Sequence, residues 1–198
     1  MTPIILIGKG GHALACLDVL QINKNFQVIG YVDSIGSLGG DWEGIPFLGT
    51  DAELPTILQK CSNVFIAIGQ VKHSEVRRKA VQQLRLLNAT FPAVISPKAH
   101  VAFGARIAEG TIVMHGAHIG PGTNIGAFNI LNTRSLIEHG AITGEFVHVS
   151  TAAVVNGDVK IGDNVFIGSN SVLCHGIEIP DNSFVQAGEF IGRKHAWG

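Results

Sequence analysis

The chain has 198 residues, of which 25 are glycine and 15% are charged, with a formal net charge of −1. Soluble domains average about 25% charged residues and about 7% glycine, so this backbone is turn-rich and its surface sparsely charged. A hydrophobic content of 46% excludes a disordered chain, and the near-zero charge lacks the basic face that a sequence-independent grip on nucleic acid needs.

The N-terminal half alternates apolar runs with helical patterns. Pro3–Ile7 reads as a buried strand, 11–21 as a helix with Leu14, Leu17 and Leu20 at helical spacing, and 27–32 as a second strand ending at Asp33. A further strand is expected over 63–68, then a charged helix from about His73 to Leu87, on which Arg77, Arg78 and Lys79 form a solvated face. This alternation predicts a small parallel α/β sheet. The prolines at 92 and 97 mark a junction, giving a Rossmann-like domain over 1–92 and a second domain over 93–198.

The second half carries a strict six-residue period. From Ile95 to Ile191 in steps of six, sixteen of seventeen positions are aliphatic, the exception being Thr143. Small residues such as Ala99, Ala117, Ser135, Ala141 and Ser171 recur four places later, and glycine often follows the repeat position directly, as at Gly120, Gly126, Gly144, Gly162 and Gly168. Such a period is a solenoid signature. Each hexad supplies a short strand and a corner, so eighteen residues make one triangular coil, with coils stacked about 4.8 Å apart.

Gly8-Lys9-Gly10-Gly11-His12-Ala13 fits G-x-G-x-x-A between a strand and a helix, and Asp33 follows at fingerprint distance. Glycines there let a phosphate approach the backbone, and the helix N-terminus favours negative charge. NAD and a UDP-sugar pyrophosphate both satisfy that chemistry; a domain this short supplies half a dinucleotide fold, which favours the sugar nucleotide.

These features together resemble one branch of the hexapeptide-repeat acyltransferases: the sugar acetyltransferases related to the sialic acid O-acetyltransferases and the UDP-4-amino-sugar N-acetyltransferases of the bacillosamine pathway. The segments that carry the resemblance are 5–13, 30–33, 45–49, 67–69 and Asn132 to Ser150 (NTRSLIEHGAITGEFVHVS). It implies a left-handed parallel β-helix, acetyl-CoA as cosubstrate, a nucleotide-linked or free sugar as acceptor, and a homotrimer. It also implies His139 as general base, Asn132 near the reacting centre, His148, Ser169 and Ala187 at acetyl-CoA, and Gly10, Gly11, His12, Asp33 and Ser34 at the sugar nucleotide.

Acetyl transfer needs a base, an oxyanion donor and aligned substrates, and histidine is the side chain best matched to neutral pH. His139 lies two residues past its anchor Ile137; Ser169 and Ala187 lie two past theirs and are eighteen apart, so they share a corner that His139 does not. The spacing therefore expects a site completed by a neighbouring chain. Some relatives carry an acid after the base, where this chain has Gly140; Glu138, which precedes the base, is the candidate catalytic carboxylate, with a carboxylate from elsewhere as the alternative. A backbone N–H near Gly144 or from the next chain is the expected oxyanion donor.

His115 and His118 differ in phase, and no metal is expected. Cys174 and His175 read as corner residues. Three scattered cysteines, no signal-peptide pattern and no run of about 20 apolar residues lead to the expectation of a cytoplasmic protein without a membrane span. The leading expectation is N-acetylation of a UDP-linked 4-amino sugar in surface glycan synthesis. O-acetylation of a sialic acid-like sugar, or a non-catalytic scaffold whose tail over 192–198 stops short, are the alternatives.

Overall fold

The computed structural model describes residues 1–33, 42–71 and 74–192. Ser34, His73 and the tail over 193–198 lie outside the described residues. Two compact units divide the chain: Met1–Gly69 with Glu75–Pro92, and Gln70–Ser74 with Ala93–Gly198.

The first unit is a four-stranded parallel sheet in the order β3-β2-β1-β4, with β1 Thr2–Ile7, β2 Phe26–Val32, β3 Phe47–Gly49 and β4 Val64–Ile66. Ile4, Ile5, Leu6 and Ile7 are all buried, as befits a strand covered on both faces. The helices are α1 Gly11–Ile22, α2 Leu54–Lys60 and α3 Glu75–Leu86. On α1 the apolar face is set by Ala13, Cys16, Leu17, Val19 and Leu20, whereas Leu14 is 46% exposed and outside it. The short β3 and α2 lie in a stretch with no clear periodicity. Leu48 of β3 packs so closely over Gly30 that a Cβ at that position would meet its side chain at 2.5 Å.

The charge run on α3 is corrected at one position. Arg77 is buried, in phase with buried Val81 and Leu84. Its Nη1 donates to the carbonyls of Ile66 and Ile68, at 3.0 and 2.6 Å. A long side chain can thus be internal where it satisfies strand-end carbonyls. Burial pushes the guanidinium down to about 10, which leaves it charged at neutral pH.

The second unit is a left-handed β-helix of two-residue strands. Face A holds six, from Val94–Ile95 to Phe184–Val185; face B six, from His100–Val101 to Phe190–Ile191; face C five, from Arg106–Ile107 to Glu178–Ile179. Every pairing is parallel and spans eighteen residues, as in Leu136↔Val154 and Ile137↔Val155. The hexad aliphatics form one continuous core with Ala117, Ala141 and Ala153.

Corner glycines fall into two classes. From Val101 to Val185 the third residue after each anchor takes positive φ, which Gly104, Gly140, Asn164 and Asn182 accept readily. The glycines directly after an anchor are there for close approach instead: a Cβ at Gly120 would lie 2.7 Å from His139 N of the next coil. Thr143, the one polar anchor, is buried because Asn129 reaches it inside the prism. Asn129 Nδ2 donates to Thr143 Oγ1 at 2.6 Å and to Gly144 O at 3.0 Å, while its Oδ1 accepts from Val147 N at 2.7 Å.

Candidate active site

In the first unit, the carboxyl ends of β1, β2 and β4 bring Gly8, Asp33 and Ala67–Gly69 to one sheet edge. β1 lies between β2 and β4, so chain order reverses there, where open parallel sheets hold ligands. Gly8 has φ +99 and donates its N–H to Val32 O at 2.8 Å. Gly10 and Gly11 are different: neither has positive φ, and a Cβ at either would meet nothing within 4 Å. Neither turn geometry nor internal packing requires those two glycines. What they leave is open backbone at the N-terminus of α1, whose first turn holds no acidic residue. His12 Nε2 lies 3.4 Å from Cys16 Sγ, and Asp33 N donates to Gly49 O at 3.4 Å.

In the second unit, His148 stands on the outside of face A and is buried. Its Nδ1 is 2.6 Å from the carbonyl oxygen of Gln70; a carbonyl only accepts, so Nδ1 carries the proton. Its Nε2 then accepts from Asn132 Nδ2 at 3.2 Å. Asn132 Oδ1 accepts from Thr133 N at 2.7 Å, which fixes the amide orientation. Gln70 is held in turn by its Nε2 donating to Phe146 O at 2.7 Å. Both ring nitrogens of His148 are committed, so it is a strut that positions Asn132 and cannot serve as a free base.

His139 is the opposite case. It stands exposed at the corner between faces B and C, in the column that also holds Gly157 and His175. Its ring lies over Gly157, where a Cβ would come within 2.6 Å of Nε2 and 3.0 Å of Nδ1. Its backbone carbonyl accepts from Asp158 N at 2.9 Å. Among the described residues neither ring nitrogen has a hydrogen-bond partner. Its neighbour Glu138 is half-buried and likewise has no side-chain partner among them.

Ser169 and Ala187 stack on the corner between faces A and B. Ser169 Oγ lies 2.9 Å from Ser150 Oγ, and Gly188 N donates to Ser169 O at 2.8 Å. Their own backbone N–H groups find no acceptor among the described residues and remain available to a ligand. One chain brings Asn132 and His148 together but leaves His139 across face B from Ser169 and Ala187. The expected oxyanion role of Gly144 is corrected: its N–H donates to Ile161 O at 2.7 Å, inside the coil ladder, at the corner between faces C and A. His115 Nδ1 is 2.6 Å from Ser96 Oγ, and His118 stacks on His100. Among the described residues no group of three or more His, Cys, Asp and Glu could hold a metal ion, and no helix is long and apolar enough to cross a membrane.

Residues 3–84 match the family described as the PglD N-terminal domain. Residues 140–175 match the bacterial transferase hexapeptide (six repeats), and residues 158–193 the hexapeptide repeat of succinyl-transferase. A comparison with curated proteins returned no match. Among solved structures, PerB from Caulobacter crescentus in complex with CoA and GDP-perosamine is 28% identical, with a TM-score of 0.87 over 98% of this chain and 90% of that one. A histidine-to-asparagine variant of perosamine N-acetyltransferase from the same organism, also with CoA and GDP-perosamine, is 27% identical, with a TM-score of 0.90 over the same shares. The acetyltransferase domain of PglB from Neisseria gonorrhoeae, in complex with acetyl coenzyme A, shares the fold at 24% identity and a TM-score of 0.84, over 94% of this chain and 88% of that one.

Proposed function

The chain belongs to the hexapeptide-repeat sugar acetyltransferases, and from that premise we propose that it transfers acetyl from acetyl-CoA to the amine of a nucleotide-linked amino sugar, with His139 as general base. The observation that carries the assignment is the contrast between two histidines. His148 has both ring nitrogens engaged, whereas His139 is exposed with neither engaged among the described residues.

In the proposed reaction the neutral sugar amine attacks the thioester carbonyl carbon while a ring nitrogen of His139 takes its proton. The tetrahedral intermediate collapses, the carbon–sulfur bond breaks, and the imidazolium returns the proton to the CoA sulfur. Asn132, held by His148, is an amide fixed where face A meets the cofactor corner. The nucleotide diphosphate is read by the open backbone at Gly10 and Gly11, with His12 and Asp33 at the same sheet edge.

The site is proposed to form between chains of a trimer. Face B presents Leu136, Val154 and Val172, half-buried, and Phe190, 66% exposed. Face C instead presents Arg106, Asn124, Lys160 and Glu178, the last two as an exposed ion pair at 3.0 Å. Face B thus carries an apolar stretch over its last four coils, after His100 and His118 in its first two, and its two edges carry His139 on one side and Ser169 with Ala187 on the other. Threefold packing through face B sets one chain's His139 against its neighbour's cofactor corner.

The test is CoA thiol release by the purified protein with UDP- and GDP-linked amino sugars. The sequence expectation is a UDP sugar; the solved relatives contain GDP-perosamine; the assay reads which base is accepted. Activity on either, lost in His139→Ala, is expected. No turnover with any amino sugar, or full turnover in His139→Ala, overturns the assignment.

A further inference from the structure

We propose that Asp158 is the positioning carboxylate of His139, delivered from the next coil into space that Gly140 leaves vacant. The inference rests on the reading of His139 as the base. A lone imidazole has two interchangeable tautomers; a carboxylate on one ring N–H fixes which nitrogen keeps its lone pair and stabilises the imidazolium once the proton has moved. The residue that follows His139 is a glycine with φ +66, so it offers no carboxylate of its own.

Space at that glycine is not empty. A Cβ on Gly140 would overlap Asp158 Oδ1. A carboxylate carried by residue 140 would start from the place the Asp158 carboxylate already holds. The eighteen-residue coil makes the exchange possible, because residues 140 and 158 are stacked neighbours in one column. The backbone ties them together through Asp158 N donating to His139 O at 2.9 Å.

The remaining groups at this corner fit the same assignment. Asp158 Oδ2 lies 3.7 Å from His175 Nε2, and the His175 ring centroid is 6.2 Å from that of His139. Glu138 is the other carboxylate on the corner and precedes the base in the chain. Asp158 therefore stands at a corner with two imidazoles. In the proposed arrangement the Asp158 side chain turns from His175 towards the His139 ring as the amine proton passes to His139.

Asp158→Asn tests this without disturbing the backbone. Asp158 has φ +58, and asparagines already hold the same corner position at Asn164, Asn170 and Asn182 with φ of 57, 57 and 61. The variant is expected to fold, to lose kcat about tenfold or more, and to keep the wild-type KM for acetyl-CoA. Nitrogen-15 spectra of the His139 ring should change from one dominant tautomer to a mixture. Asp158→Gly should lose kcat in the same way, and the double variant Asp158→Gly, Gly140→Asp, which moves the carboxylate one coil back, should recover it. A wild-type kcat in Asp158→Asn overturns the proposal, as does an unchanged His139 ring spectrum or a double variant no more active than Asp158→Gly. Full activity in His139→Ala would instead remove the base itself, so the two failures are distinct.

Discussion

The imidazole of His139 rests on Gly157, one coil above, with room for no side chain between them. The ring is exposed on one side and packs against Gly157 on the other. Gly157 lacks a positive φ, so alanine is compatible with its backbone and strikes only the ring. We expect Gly157→Ala to melt near the wild-type temperature while kcat falls about a hundredfold, the scale of an ångström-sized misplacement of a reacting group. Thermal melts beside the thiol-release assay check it. An unchanged kcat would show that the ring position is immaterial.

Thr143 offers a test against the repeat pattern itself. Valine restores the aliphatic series and conserves volume, yet it removes the hydroxyl that Asn129 Nδ2 meets at 2.6 Å. One amide hydrogen is then buried without an acceptor, at a cost of about 1–3 kcal/mol. Thr143→Val should therefore lower the denaturant midpoint, and Thr143→Ser should recover most of it.

His148 should matter through its neighbours. Phenylalanine fits beside Phe166, whose ring meets that of His148 edge-on at 5.1 Å. It abandons the Gln70 carbonyl and frees the Asn132 amide. His148→Phe is expected to destabilise the fold by about 2 kcal/mol and to weaken acetyl-CoA binding through the released Asn132. Calorimetric titration with CoA beside a denaturant melt reads both.

Cys16 gives a pH-dependent prediction. Burial raises its thiol from an ordinary value of 9.0 to about 12, against the lowering effect of nearby Arg77. The folded state keeps this proton where the unfolded chain loses it. Stability is therefore undiminished below pH 9 and falls as pH rises from about 9 towards 12. From about pH 10 upward the buried Arg77 opposes this, because its proton leaves the folded state first. At pH 8, iodoacetamide should label half-buried Cys174 while sparing Cys16, until denaturant exposes it. Peptide mass spectrometry reads the two sites separately.

What was legible in the sequence follows from what repeats. The hexad states one requirement seventeen times, so the prism, its anchors and the column positions of His139, Ser169 and Ala187 can be counted without coordinates. Pairings made once leave no such trace. Gln70 meets His148 across 78 residues, and Asn129 satisfies Thr143 from a different coil position, with no pattern linking either pair. One missed feature did have a signal. Arg77 sits four and seven residues before Val81 and Leu84, on the helix's buried phase, but the adjacent charges hid it. The role proposed for Asp158 has a signal of the same kind, since Asp158 sits eighteen residues, a full coil, after Gly140.

In the proposed trimer His139 acts as base in a site shared between chains. The most direct measurement co-expresses two inactive variants, His139→Ala and a cofactor-corner block, Ser169→Tyr, and assays the mixed trimers for acetyl transfer to an amino sugar nucleotide. If each site takes His139 from one chain and Ser169 from the next, random mixing leaves about a quarter of the sites intact, and activity returns to about that fraction of wild type. A mixture no more active than its two parents would contradict the account.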